Sequence, residues 1–71
     1  MLYTSVVLKN KSSLDCWVYV GAIGVYYLCA GHEIKLKILS DENIYVVSSK
    51  QNIKYLGSIS PDKQFFEIFF D

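Results

Sequence analysis

Residues 33–38 read Glu-Ile-Lys-Leu-Lys-Ile, a strict alternation of charged and aliphatic side chains. In an extended strand successive side chains point to opposite faces, so this order separates into one apolar and one charged side. An amphipathic helix repeats its apolar residues at spacings of three and four, not two. The segment therefore reads as a strand with Ile34, Leu36 and Ile38 on a buried face. Lys35 and Lys37 are left for water or a partner.

The same period organises most of the chain. Leu2 to Lys9 alternates Leu2, Thr4, Val6 and Leu8 against Tyr3, Ser5, Val7 and Lys9, and Asn10-Lys11-Ser12-Ser13 closes it with a polar turn. Strands are expected over Cys16–Val20, Val25–Leu28, Glu33–Ile38, Ile44–Val47, Ile53–Leu56 and Gln64–Phe70, with Ser40–Asn43, Ser48–Asn52 and Ser60–Lys63 as polar breaks. Pro61 suits a turn position where its fixed φ costs nothing. Six or seven short strands at roughly ten-residue spacing, with no helical pattern between them, predict a small antiparallel β-sandwich or partly open barrel. At 71 residues the chain forms a single β domain, 1–71.

Cys16 to Gly31 contains no formal charge. A membrane-spanning helix needs about 20 predominantly apolar residues. This stretch is shorter, is bounded by Asp15 and by His32-Glu33, and carries two glycines and three tyrosines. CWVYV and VYYLC are instead β-branched and aromatic, and Gly21-Ala22-Ile23-Gly24 reads as the tight turn of a hairpin. The chain opens without a basic segment, apolar run and small-residue cleavage site, so cytoplasmic synthesis without a signal peptide is expected. In that compartment Cys16 and Cys29 are expected as buried thiols, with a disulfide as the alternative.

No catalytic constellation emerges. Cys29 and His32 have a Cys-x-x-His spacing, but structural zinc needs a second closely spaced ligand pair, and only Cys16 extends the set. A Cys29–His32 nucleophile pair lacks an orienting group and an oxyanion site. Asp41 and Glu42 are neighbouring acids in a turn, and Asp15, Glu33 and Glu67 lie on separate segments. Gly21 and Gly24 lack the lysine and hydroxyl residue of a phosphate loop. No catalytic residue, metal, cofactor or small-molecule substrate is expected, and the chain reads as a non-enzyme.

Surface chemistry is more informative. Seven basic and seven acidic residues balance, and every basic residue is lysine. Nucleic-acid binders carry excess positive charge and favour arginine, so nucleic acid is a disfavoured partner. Were it bound, as a single strand, Tyr45 and Tyr55 would stack bases beside Lys50 and Lys54. Protein contact fits better. Trp17 and Tyr19 share one strand face, and Phe66, Ile68 and Phe70 form an apolar stripe near the end of the sequence; these five are the candidate interaction surface. Folding removes about 7,000 Å² from water. The hydrophobic gain is on the order of 100 kcal/mol, and ordering the chain costs about as much. Burial against a second copy or a larger assembly would then stabilise the fold.

The succession VLKNKSS, WVYVG, YYLCAGHEIKLKI and NIYVVSS resembles small β-rich accessory proteins of tailed-phage virions, including decoration and fibre-associated modules. The matching positions are Leu8, Asn10 and Ser12; Tyr26, Leu28, Ala30, Gly31 and Glu33; Ile34, Leu36 and Ile38; and Ile44, Tyr45 and Val46. His32 intervenes between the corner glycine and glutamate, and Cys29 stands beside that corner. The resemblance implies a virion-associated structural role, self-associating or docked on a larger assembly. A small inhibitor or regulator of one protein target is the alternative.

Overall fold

A computed structural model describes residues 3–21, 24–39 and 41–70. Seven strands are present among them: β1 (Tyr3–Asn10), β2 (Cys16–Val20), β3 (Gly24–Leu28), β4 (Glu33–Leu39), β5 (Asn43–Ser48), β6 (Ile53–Ser58) and β7 (Phe65–Ile68). The described residues contain no helix. Within the uncharged 16–31 stretch lie β2 and β3, and no described helix is long and apolar enough to cross a membrane. Leu2, Ala22, Ile23 and Ser40, which the sequence reading used, lie outside the described residues.

The strands form two sheets, in the orders β4-β1-β7 and β3-β2-β5-β6, so the fold is a sandwich and not a closed barrel. Every pairing is antiparallel except β1 with β7, which run parallel. These two strands are remote in sequence, so no hairpin dictates their direction. The chain visits the three-stranded sheet once, the other twice, and repeats this before returning as β7.

Period-two alternation explains the core. Val6, Leu8, Ile38, Phe66 and Ile68 of the three-stranded sheet cluster with Cys16, Val18, Val20, Leu28, Ile44 and Val46 of the four-stranded sheet. Ile59, in the β6–β7 connection, completes the cluster. Ile38 is fully buried, whereas Ile34 and Leu36 are half-buried and pack on the core's margin. All three lie on β4, an edge strand open on one side.

Among the described residues three polar ones are buried, Thr4, Asn10 and Ser48, and Asn10 is the most fully enclosed. Asn10 is fully buried; its amide donates to the carbonyls of Leu14 (2.8 Å) and Leu28 (3.2 Å), and its Oδ1 accepts from the Ser12 hydroxyl (2.6 Å) and backbone N–H (3.0 Å). The backbone of Asn10 also accepts from Gly31 N (2.8 Å) and donates to the His32 carbonyl (2.9 Å). Gly31 takes a positive φ of 77° there, a conformation glycine adopts without steric cost. A single asparagine thus ties the end of β1 to the loop before β2, to β3 and to the corner before β4.

Candidate interaction surface

The two outer faces differ sharply. On the three-stranded sheet the outward positions include Lys9, Glu33, Lys35, Lys37 and Glu67, and Lys11 pairs with Glu67 across 3.5 Å. Tyr3 and Phe65 are exposed among these charges on the same face. On the four-stranded sheet no outward position of any strand carries a charge.

Register sets the arrangement of that second face. Trp17 lies between Tyr27 of β3 and Val47 of β5, with Ile53 of β6 beyond, and this forms one row across the sheet. The next row runs Val25, Tyr19, Tyr45 and Tyr55. Val47 is half-buried and the other seven are between 40 and 75% exposed. Trp17 meets Tyr27 edge to face at 4.8 Å, and Tyr45 meets Tyr55 at 5.0 Å. Polar anchors hold the two outer tyrosines. Tyr27 donates to Asp15 Oδ2 (2.8 Å), and the Tyr55 hydroxyl donates to Asn43 Oδ1 (2.9 Å), which also accepts from Ser58 (2.7 Å). The platform is therefore positioned from its rim as well as by strand pairing.

Asp15 is central to that rim. Its other oxygen accepts from Ala30 N at 2.8 Å. This backbone hydrogen bond, then the one from Tyr27, holds its carboxyl below the ordinary carboxylate value. The bond to Asp15 in turn raises the Tyr27 phenol.

Of the five residues expected on the surface, Trp17 and Tyr19 lie on this face. Phe66 and Ile68 do not: both are buried. Phe66 sits opposite Leu8, and Ile68 opposite Asn10, so both turn inward and are core. Phe70 is half-buried against the same core. Phe65, Glu67 and Phe69 are the exposed set. The terminal stripe is buried within its own chain, because parallel pairing with β1 carries it over the sandwich interior.

The four residues grouped for nucleic acid are also divided. Tyr45 and Tyr55 belong to the aromatic face. Lys54 pairs with inward-facing Val46, so it lies on the other side of β6, where its ammonium donates to the Phe69 carbonyl (2.9 Å). Lys50 is in the β5–β6 turn, at whose base the Ser48 hydroxyl accepts from the backbone of Lys50 and Asn52. No lysine interleaves with the rings.

Tyr27, Val25 and Ile53 are members of the face that sequence reasoning did not single out. The available signal was the absence of charge from both period-two sets of GVYYL, which marks a strand with two apolar faces. Elsewhere, His32 N closes a backbone turn onto the Cys29 carbonyl (3.1 Å). Among the described residues no cluster of three or more His, Cys, Asp or Glu has the geometry to hold a metal ion. Cys16 and Cys29 are free thiols, the first buried and the second half-buried.

No family model, curated protein or solved structure matches this chain.

Proposed function

We propose that this chain is a non-enzymatic protein-interaction module that docks through the outer face of its four-stranded sheet. The observation that carries this reading is the contrast between the two faces: one is laced with lysine and glutamate, and the other bears five aromatic rings and no charge. Contiguous apolar patches on monomeric proteins seldom exceed about 300–600 Å². Tyrosine and tryptophan add contact area at low entropic cost and keep a polar group for the rim. Single-stranded nucleic acid is a weaker fit, since stacking platforms of that kind work with a cationic groove.

The proposed setting is a larger protein assembly, specifically an accessory position in a tailed-phage virion. That part rests on the resemblance carried by Asn10, Gly31, Glu33 and the Ile34–Ile38 strand. Purified particles from the native source provide the test, with wild type compared with a Tyr19→Glu/Tyr45→Glu double variant. Wild type should sediment with particles and the variant should be released. Recovery on one stoichiometric cellular protein, with none on particles, would replace the virion setting with the inhibitor reading. Retention of the double variant on either would overturn the docking face.

A further inference from the structure

We infer that the occupant of the aromatic face is a second copy of this chain, stacked sheet to sheet about a two-fold axis; this rests on the docking reading above. Three observations support that occupant.

The first is area. Five aromatic side chains, each with about 150–250 Å² to bury, are roughly half exposed, and Val25 and Ile53 add to them, giving a patch of roughly 700 Å². A standard stable interface takes about 800 Å² from each partner, so two such faces and their polar rims together reach that size.

The second is charge. A two-fold contact places each face against itself, so any net charge would meet its like. The three-stranded sheet carries Lys9, Lys35 and Lys37 against Glu33 and Glu67, charges that would have to be desolvated in such a contact. The four-stranded sheet has no charge at its outward positions, and the acidic rim residue Asp15 is already held by Tyr27 and Ala30 N.

The third is placement. Trp17, Tyr19, Tyr45 and Val47 are on the two inner strands, β2 and β5, and form the centre of the face. Binding energy concentrates in central aromatic residues surrounded by a polar rim. Here the rim is supplied by Asp15, Asn43 and Ser58, each already hydrogen-bonded to a platform tyrosine or its neighbour. Two such sheets pack about 10 Å apart at an aligned angle of about −30°. The result is a four-layer sandwich with the charged sheets outermost.

Trp17 is the sole tryptophan, so its fluorescence reports on the contact directly. Sedimentation equilibrium from micromolar to millimolar chain should show a monomer–dimer equilibrium. The emission of Trp17 should shift to the blue over the same concentration range. Tyr45→Glu and Tyr19→Lys should each weaken association by at least about 30-fold. Lys37→Glu, on the opposite sheet, should leave it unchanged, and circular dichroism verifies the fold of each variant. A monomer at every concentration with constant emission overturns the inference, as do a dimer indifferent to both face variants and a series of open-ended larger species. A persistent monomer that Tyr45→Glu releases from particles overturns only the second copy and leaves docking intact. A face-dependent dimer with no larger assembly overturns only the virion setting.

Discussion

The Tyr27 hydroxyl donates to Asp15 Oδ2 at 2.8 Å, joining the rim of the aromatic face to the loop that leads into β2. Because the Asp15 carboxylate also accepts from Ala30 N, its folded-state pKa lies below the ordinary 3.8. A depressed carboxylate pKa contributes stability above the unfolded value, and the contribution is lost as pH falls through the folded value. Denaturant midpoints should therefore favour wild type over Asp15→Asn at neutral pH, with the gap closing below pH 3.8. A gap that stays constant on acidification would disprove the linkage.

Tyr27 runs in the opposite direction. The bond to Asp15 raises its phenol above the ordinary 10.0, so its contribution is complete below that value and is lost as pH rises through the folded pKa. Tyr27→Phe should lack this alkaline loss. Ultraviolet titration of phenolate absorbance should show that Tyr27→Phe has lost a late-ionising phenol present in wild type.

Asn10 is the polar hinge of the sandwich. Truncation in Asn10→Ala removes the donor shared by the carbonyls of Leu14 and Leu28 and the acceptor of Ser12. Leaving buried groups unpaired should destabilise the fold by about 3 kcal/mol. Asn10→Asp should do worse, since it faces a second oxygen toward those two carbonyls. Urea unfolding of both variants checks the order.

Which face of β7 turns inward is tested by a pair of neighbouring phenylalanines. Phe66 is core and Phe65 is half exposed, so Phe66→Ala should cost about 3–5 kcal/mol. Phe65→Ala should cost less than about 1 kcal/mol. Equal losses would contradict the inward placement of Phe66.

The two thiols should react at different rates. Cys16 is fully buried and its pKa is pushed up to about 11, first by desolvation and then by the nearby Asp15 charge, so little reactive thiolate forms at neutral pH. Cys29 is only half-buried. Iodoacetamide at pH 8 should label one site per native chain, at Cys29, and two after unfolding. Peptide mass mapping identifies the site, and prompt labelling of Cys16 in the native chain would contradict its burial.

Much of the architecture was legible in the residues themselves. Alternation in Thr4, Val6 and Leu8 and in the Glu33–Ile38 segment marks strands and names their inward sides, because polar and apolar residues occupy opposite sets. Turn chemistry at residues 10–13, 48–52 and 60–63 places the breaks. Local side-chain direction and backbone preference require nothing beyond neighbouring residues, so a linear reading reaches them. Where both sets are apolar the pattern no longer names a side. Phe65 and Phe66 are chemically identical, and pairing of Phe66 with Leu8 over the sandwich interior decided which one is buried. Tyr45 and Lys54 looked like members of one cluster until β6 packed beside β5 and set them on opposite faces. The aromatic platform is likewise a product of tertiary structure. Trp17, Tyr27, Tyr45 and Tyr55 come from four strands, and only their lateral order and register, settled by long-range pairing, assemble them into one uncharged surface.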